Sequence, residues 1–214
     1  MIKVDITSRL DPEMAAALNQ TRQLHMDLIA ARGGPVAPGD LAGQRAAYDH
    51  ERAFWNEVKP ALPAVEAVEI PSPGGVVRCR LYRPSTGKPL PALVYLHGGG
   101  WILGGLDTHD RIMRLLAEKS GVAVLGVDYR LAPEHKFPAG HDDALAALRH
   151  LLRDGAAVGI DPARLAVGGD SAGANMALAS CLQLAPAERA AVKQQLLYYG
   201  LFGLSDSASR RLRQ

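Results

Sequence analysis

The sequence predicts an α/β fold in which helices cover both faces of a mostly parallel β-sheet. Short, continuous apolar runs recur at residues 92–96, 122–127, 165–167 and 196–199. Such runs are typical of strands that are buried on both faces. Segments with helical spacing separate them, at residues 107–120, 139–153 and 172–184. This alternation of strand and helix favours parallel strands with helical crossovers.

The part of the chain before these strands has a different pattern. Helices are predicted at about 11–31, which ends at a Gly-Gly-Pro turn, and at about 40–58, which Pro60 and Pro63 end. They either cap a site or pack on the surface. Residues 65–70 and 76–82 alternate apolar and polar side chains around a Pro/Gly-rich turn, so they predict an antiparallel hairpin.

Composition excludes several classes of function. The 214 residues carry a formal net charge of +2, which gives no electrostatic reason to expect binding to nucleic acid or to a membrane surface. A terminal basic cluster is interpreted as a solvated face: Arg210, Arg211 and Arg213. Cys79 and Cys181 are predicted to be buried thiols in a reducing environment. No secretory signal or transmembrane segment is recognised, so we expect a cytoplasmic location.

The segment from Gly169 to Gly173 matches the pattern G-x-S-x-G, with Asp170 and Ala172 at the variable positions. It lies between an apolar strand and a helix, which is the setting of a nucleophile elbow. The turn exposes Ser171 but strains its backbone, and small neighbours relieve the crowding. The alternative is a serine that caps a helix. We predict that Ser171 is a catalytic nucleophile.

A second motif, His97-Gly98-Gly99-Gly100-Trp101, follows the buried strand 92–96. Glycines let the backbone approach a ligand closely, and inward N–H groups stabilise the oxyanion of a tetrahedral intermediate. We predict oxyanion donors at Gly98, Gly99 and Ala172, with Gly100 supporting the loop. His97 precedes Ser171, whereas this fold's triad order is Ser, acid, His, so a structural role is favoured over that of a base.

Two other interpretations of these segments are weaker. No Lys-Ser/Thr pair follows the glycine run, so it does not satisfy a phosphate-loop pattern. His141, Asp142 and Asp143 lack the spacing of a metal site and are interpreted as solvated charges at a helix start. We predict no cofactor and no metal. Asp128 and Glu134 are expected to fix a loop rather than to act in catalysis.

With both motifs in place, the sequence resembles the hormone-sensitive-lipase-like family of α/β hydrolases, also called bacterial family IV esterases. Supporting segments are 128–134, 137–144 and 161–164. The resemblance implies an α/β-hydrolase fold and a serine esterase that cleaves short-chain acyl (acetyl-type) esters through an acyl-enzyme. It also implies that residues 1–60 form an N-terminal helical cap and 61–214 the hydrolase core.

The sequence departs from that family at its C-terminal end. The family's acid and histidine come late in the chain, but here no histidine follows Ser171, and the acids there are Glu188 and Asp206. Asp206 precedes the expected position of the acid and is not assigned. We expect a C-terminally truncated chain that lacks its last strands, at about three strand–helix units. The rival hypothesis is a ligand-binding protein on a hydrolase scaffold. Acyl length, alcohol and oligomeric state are left open.

Overall fold

A computed structural model describes residues 10–87 and 89–202, so Asp206 and the three terminal arginines lie outside the described residues. The chain divides into two compact units, Met1–Trp55 and Asn56–Gln214. The division lies close to the predicted boundary at residue 60. In the first unit, helix α1 begins where the Asp11 side chain accepts a hydrogen bond from Glu13 N, and it ends at Gly33 in the left-handed conformation.

The described residues form twelve main elements in an order close to the predicted one. These are α1 (Pro12–Arg32), α2 (Leu41–Asn56), β1 (Ala64–Ser72), β2 (Gly75–Arg83), β3 (Leu90–Leu96), α3 (Asp110–Ser120), β4 (Ala123–Asp128), α4 (Ala139–Asp154), β5 (Ile160–Asp170), α5 (Ala172–Gln183), α6 (Pro186–Ala191) and β6 (Val192–Tyr198).

The six strands form one sheet in the order β1-β2-β4-β3-β5-β6. Strands β4, β3, β5 and β6 are parallel, and the β1–β2 hairpin joins them because β2 pairs antiparallel with β4. Leu96 is in register with Gly169, so the ends of β3 and β5 lie side by side. The mostly parallel α/β sheet and the hairpin are confirmed.

Helices pack on both faces of this sheet, as predicted. Alternate β3 residues contribute to two apolar clusters, since successive side chains of a strand point to opposite faces. Val94 belongs to the cluster with α4 and α5, whereas Leu93 belongs to the cluster with Met113 of α3. Cys79 and Cys181 are free and buried, which confirms the predicted burial of the two thiols, and burial raises the pKa of Cys79 to about 12.

The strand and helix bounds differ from the predictions mainly at β5 and β6. Strand β5 begins at Ile160 rather than near 165, and β6 spans Val192–Tyr198 rather than 196–199. The early residues of β6 are polar and exposed because β6 is the edge of the described sheet, so no apolar run marks them. The short helix α6 was not predicted. Among the described residues, no helix has the length and hydropathy to cross a bilayer.

Candidate active site

Ser171 lies in a strained turn between β5 and α5. Its backbone has φ 51° and ψ −116°, a region that non-glycine residues rarely adopt. The turn is held on both sides, because Ser171 N donates to Tyr198 O at 2.9 Å and Asn175 N donates to Ser171 O at 3.2 Å. The strand–turn–helix geometry is that of a nucleophile elbow.

The glycines on either side of Ser171 are required by close backbone contacts. A Cβ atom on Gly173 would lie 1.9 Å from Leu96 O, and one on Gly169 would lie 2.1 Å from the same oxygen. Backbone of β3 cannot move aside as a flexible side chain can. The elbow therefore packs directly on the last residue of β3, immediately before the glycine loop at residues 97–101.

The glycine loop turns sharply where it leaves β3. Gly99 has φ +127°, and a Cβ there would lie 2.1 Å from Leu103 O. Gly100 and Trp101 also have positive φ, at 61° and 64°. Gly99 O accepts hydrogen bonds from Ile102 N and Leu103 N, which closes the turn. Only glycine fits at position 99.

Asp170, which directly precedes Ser171, joins the elbow to the glycine loop. Its Oδ1 accepts hydrogen bonds from Gly98 N at 2.9 Å and Tyr95 OH at 2.8 Å, and lies 3.5 Å from His109 Nε2. Its Oδ2 accepts from Tyr199 OH at 3.2 Å. Burial raises the pKa of Asp170, but the bonds from His109, Tyr95 and Gly98 outweigh it and lower that pKa to about 2.

The Gly98 N–H is therefore not free to bind an oxyanion, contrary to the prediction. A backbone amide has one hydrogen, and that of Gly98 is directed at Asp170. We correct the prediction that Gly98 is an oxyanion donor: its N–H fixes the loop. Within the described residues, the N–H groups of Gly99, Gly100 and Ala172 have no protein acceptor. For Ala172 this follows from its place in the first turn of α5.

His97 is buried in the base of the glycine loop. Its Nδ1 donates to Gly98 O at 2.8 Å, and its ring stacks on Tyr129 with centroids 4.2 Å apart. Tyr129 OH also donates to His97 O at 2.6 Å. Burial and the neighbouring His109 lower the pKa of His97 to about 4, so the ring is neutral at pH 7. These contacts support a structural role.

Two other acidic residues weighed in the sequence, Asp128 and Asp143, are held by arginines, and Asp143 is buried rather than solvated as predicted. Asp143 accepts two hydrogen bonds from the Arg130 guanidinium and one from Arg130 N, and Asp128 accepts one from Arg78. Arg130 thereby fixes the loop after β4. Within residues 10–87 and 89–202, no cluster of three or more His, Cys, Asp or Glu side chains could hold a metal ion.

No described histidine forms a hydrogen bond to the Ser171 hydroxyl. The seven histidines all precede Ser171 in the sequence. His109, Tyr95 and Tyr199 lie around Asp170 but belong to neither motif, so sequence reasoning missed them. Only the buried apolar setting of Tyr95, whose hydroxyl requires a partner, gave any signal.

Comparison with known proteins agrees with this geometry. Residues 93–214, more than half of the chain, match the family model described as alpha/beta hydrolase fold. The chain belongs to the α/β-hydrolase family. It is 41% identical over 214 residues to an acetyl esterase of Salmonella paratyphi B, covering 98% of this chain and 63% of that protein. The chain thus spans less than two thirds of the length of the curated relatives it matches.

Solved structures of esterases have the same fold. A hyperthermophilic esterase from Pyrobaculum calidifontis superposes with a TM-score of 0.76 at 39% identity, covering 81% of this chain and 58% of that one. An ester hydrolase from the metagenome of Lake Arreo, complexed with a bipyridine phosphonate derivative, gives 0.78 at 40% identity, covering 90% and 63%. The predicted hormone-sensitive-lipase-like resemblance and the hydrolase fold are confirmed.

Proposed function

We propose that this chain carries the nucleophile and oxyanion site of a serine carboxylesterase that acts on short-chain acyl esters. The observation that carries the proposal is the strained Ser171 turn packed against the glycine loop. Strain of this kind persists only where the surrounding structure enforces it, and it exposes the hydroxyl at the top of the sheet. The esterase relatives support the substrate class.

In the proposed reaction, Ser171 Oγ attacks the ester carbonyl carbon and its proton passes to a base. The carbonyl oxygen takes up the negative charge and accepts hydrogen bonds from the N–H groups of Gly99, Gly100 and Ala172. Each such donor typically contributes about 3 kcal/mol to the transition state, and the N-terminus of α5 adds a favourable dipole. Loss of the alcohol leaves an acyl-Ser171 ester, which water then hydrolyses.

The base and its acid partner are not among the residues described here. His97 is enclosed and neutral, and His109 is directed at Asp170. Because the fold orders its triad as Ser, acid, His, we propose that these 214 residues supply the nucleophile and the oxyanion donors but neither the acid nor the histidine. A proposed role for residues 1–60 as a cap accompanies this assignment.

The proposal is tested by replacing the hydroxyl with a nucleophile that needs no base. A cysteine at position 171 ionises without a histidine, and the N-terminus of α5 favours the thiolate. With p-nitrophenyl acetate, we expect Ser171→Cys to release one equivalent of p-nitrophenolate at least tenfold faster than Ser120→Cys at the same pH. Ser120 is the matched control because it is exposed at the end of α3.

Acylation must be located as well as timed. Mass spectrometry of the Ser171→Cys protein is expected to show one acetyl group on residue 171 and none on the buried Cys79 and Cys181. Equal rates for the two engineered cysteines would show that no donor site faces residue 171, and the esterase proposal would then fail.

A further inference from the structure

His109 is a buried histidine that contacts the proposed active site through Asp170. It occupies the N-cap position of α3, and 5% of its surface is exposed. Its Nε2 lies 3.5 Å from Asp170 Oδ1, the same oxygen that accepts the hydrogen bond from Gly98 N. Among the ion pairs of the described residues, this is the one in which Asp170 takes part.

The other ring nitrogen of His109 faces the hydroxyl of Thr108. Nδ1 lies 2.9 Å from Thr108 Oγ1, which also donates to Gly105 O and accepts from Gly105 N, both at 2.9 Å. A hydroxyl has one hydrogen, so Thr108 cannot donate to Gly105 O and to Nδ1 at once. With that hydrogen directed at Gly105 O, the lone pairs of the hydroxyl accept from Gly105 N and from an N–H at Nδ1.

Both nitrogens of His109 therefore face oxygen acceptors. The pKa of Asp170 is about 2, so its carboxylate is ionised at pH 7 and can only accept. A neutral imidazole has one N–H: it would direct a lone pair at Asp170 or leave Gly105 O facing a hydroxyl oxygen with no hydrogen between them. An imidazolium has two N–H groups and satisfies both contacts, and it also compensates a buried negative charge.

The other ionisable groups near His109 leave Asp170 as its counter-ion. The His97 ring, with its centroid 5.3 Å from that of His109, is neutral because burial and the neighbouring His109 lower its pKa to about 4. Asp110, the next residue in α3, is already paired with three cations: Lys59, Arg80 and Arg114. The two adjacent histidines thus have different charge states, and one carboxylate is matched by one imidazolium.

We propose that His109 is a positioning residue that acts as an imidazolium, compensating Asp170 so that this carboxylate holds Gly98, and with it the oxyanion donors, in place beside Ser171. The inference rests on the proposed esterase function. His109 does not touch the reacting atoms. Its charge joins three segments at one buried ion pair: the glycine loop, the start of α3 and the turn after β5.

The charge state of His109 is measured by ¹⁵N NMR of the wild-type protein labelled at histidine. An imidazolium has two protonated nitrogens with similar chemical shifts, whereas a neutral ring has one unprotonated nitrogen with a very different shift. At pH 7, we expect both nitrogens of His109 to be protonated, and one to lose its proton in Asp170→Asn. The ring is assigned by its proximity to His97 and Thr108. An unprotonated nitrogen on His109 in the wild-type protein overturns the proposal, and this measurement needs no variant to fold.

The position of the loop is measured by hydrogen exchange at Gly98 N–H, which needs no reaction. His109→Gln keeps an N–H donor but removes the charge, and Gly98 is expected to exchange roughly tenfold faster than in the wild-type protein. His150→Gln is the control, because it removes another His–Asp pair, the one that His150 forms with Asp154 in α4, and it is expected to leave exchange at Gly98 unchanged. Unchanged exchange in a folded His109→Gln protein overturns the proposal.

The same substitutions are assayed by acylation of the Ser171→Cys protein with p-nitrophenyl acetate. His109→Gln is expected to slow acylation about tenfold. Because His109 acts through Asp170, adding His109→Gln to Asp170→Asn is expected to slow it by less than about twofold further. Full multiplication of the two effects overturns the proposal. If Ser171→Cys acylates no faster than Ser120→Cys while His109 is charged and protects Gly98 from exchange, the esterase function fails and the positioning of the loop by His109 stands.

Discussion

Asp170 Oδ1 accepts a hydrogen bond from Gly98 N at 2.9 Å, which joins two motifs that lie 72 residues apart in the chain. One end of this bond is adjacent to Ser171 and the other lies inside the glycine loop. The carboxylate therefore sets the position of the proposed oxyanion donors relative to the proposed nucleophile.

Replacing Asp170 with asparagine is expected to slow acylation of the Ser171→Cys protein by roughly 10- to 100-fold. The amide keeps the size of the side chain but loses the charge that attracts His109, and misplacement of a reacting group by about 1 Å can cost 10²-fold. The measurement is the release of p-nitrophenolate. Asp161→Asn is the control, because Asp161 accepts a bond from Ala163 N far from the site; equal slowing by both variants would contradict the positioning role.

The free energy of unfolding is expected to decrease in two steps as the pH is lowered. Burial lowers the pKa of His97 from 6.5 to about 4 in the folded protein. Because the unfolded chain therefore binds this proton first, the folded state loses stability as the pH falls from about 6.5 to 4. The pKa of Asp170 is lowered to about 2 from 3.8, so its contribution, of order 2 kcal/mol, is full above pH 5 and is lost between about pH 4 and 2. Urea unfolding at a series of pH values measures both steps, and Asp170→Asn is expected to remove the second step while a first step remains.

Gly173→Ala is expected to destabilise the protein by more than about 3 kcal/mol or to prevent folding. The added methyl group would lie 1.9 Å from Leu96 O, and the neighbouring atoms are backbone of a central strand. Gly34→Ala is the control, since a Cβ there meets nothing within 4 Å. Circular dichroism during thermal unfolding distinguishes the two, and a normal melting curve for Gly173→Ala would show that the elbow does not pack on β3 as described.

The 214-residue polypeptide is expected to hydrolyse p-nitrophenyl acetate about six orders of magnitude more slowly than the Salmonella acetyl esterase. Loss of a triad histidine typically costs this much, and the oxyanion donors and binding retain roughly 10³-fold over water. Initial rates for the two proteins and for Ser171→Ala give the comparison. A Ser171-dependent rate near that of the relative would show that a base within these residues activates the hydroxyl.

Self-association is expected at the β6 end of the described sheet. Strand β6 has no neighbour on its outer side among the described residues, and Leu201 and Phe202 close by are 69% and 51% exposed. Unpaired edges beside apolar side chains promote association. Light scattering is expected to show less association for Leu201→Lys/Phe202→Lys than for Val58→Lys, which charges an exposed position elsewhere. A monodisperse, cooperatively melting wild-type protein would contradict this expectation.

The sequence predicted what local chemistry determines. The G-x-S-x-G turn and the glycine loop are each marked by a few adjacent residue types, so the two patterns were sufficient to locate them. The fate of the Gly98 N–H was not predictable in this way. Its acceptor is Asp170, at the end of the neighbouring strand β5. The pattern of residues within one segment does not predict a contact between two strands.

The contacts around Asp170 also could not be predicted from patterns within one segment. His109 occupies the N-cap position of α3 and belongs to no motif in the sequence, yet it is buried against this carboxylate. Tyr95 looked like an ordinary apolar residue of a buried strand, although its hydroxyl donates a hydrogen bond to Asp170. Strand order decides both contacts, and β3 lies beside β5 only because the chain crosses over to place β4 on the far side.

The contact of the Asp170 carboxylate with the glycine loop has a consequence for protein engineering. Transplanting the triple-glycine segment into another scaffold would carry over its shape but leave behind the anchor that holds it. A graft of this kind needs at least Asp170, Tyr95 and His109 as well, because the Asp170 carboxylate holds the loop and the other two side chains contact that carboxylate. The smallest transferable unit is therefore β3 and β5 with the segments that follow them, residues 97–109 after β3 and Ser171 after β5.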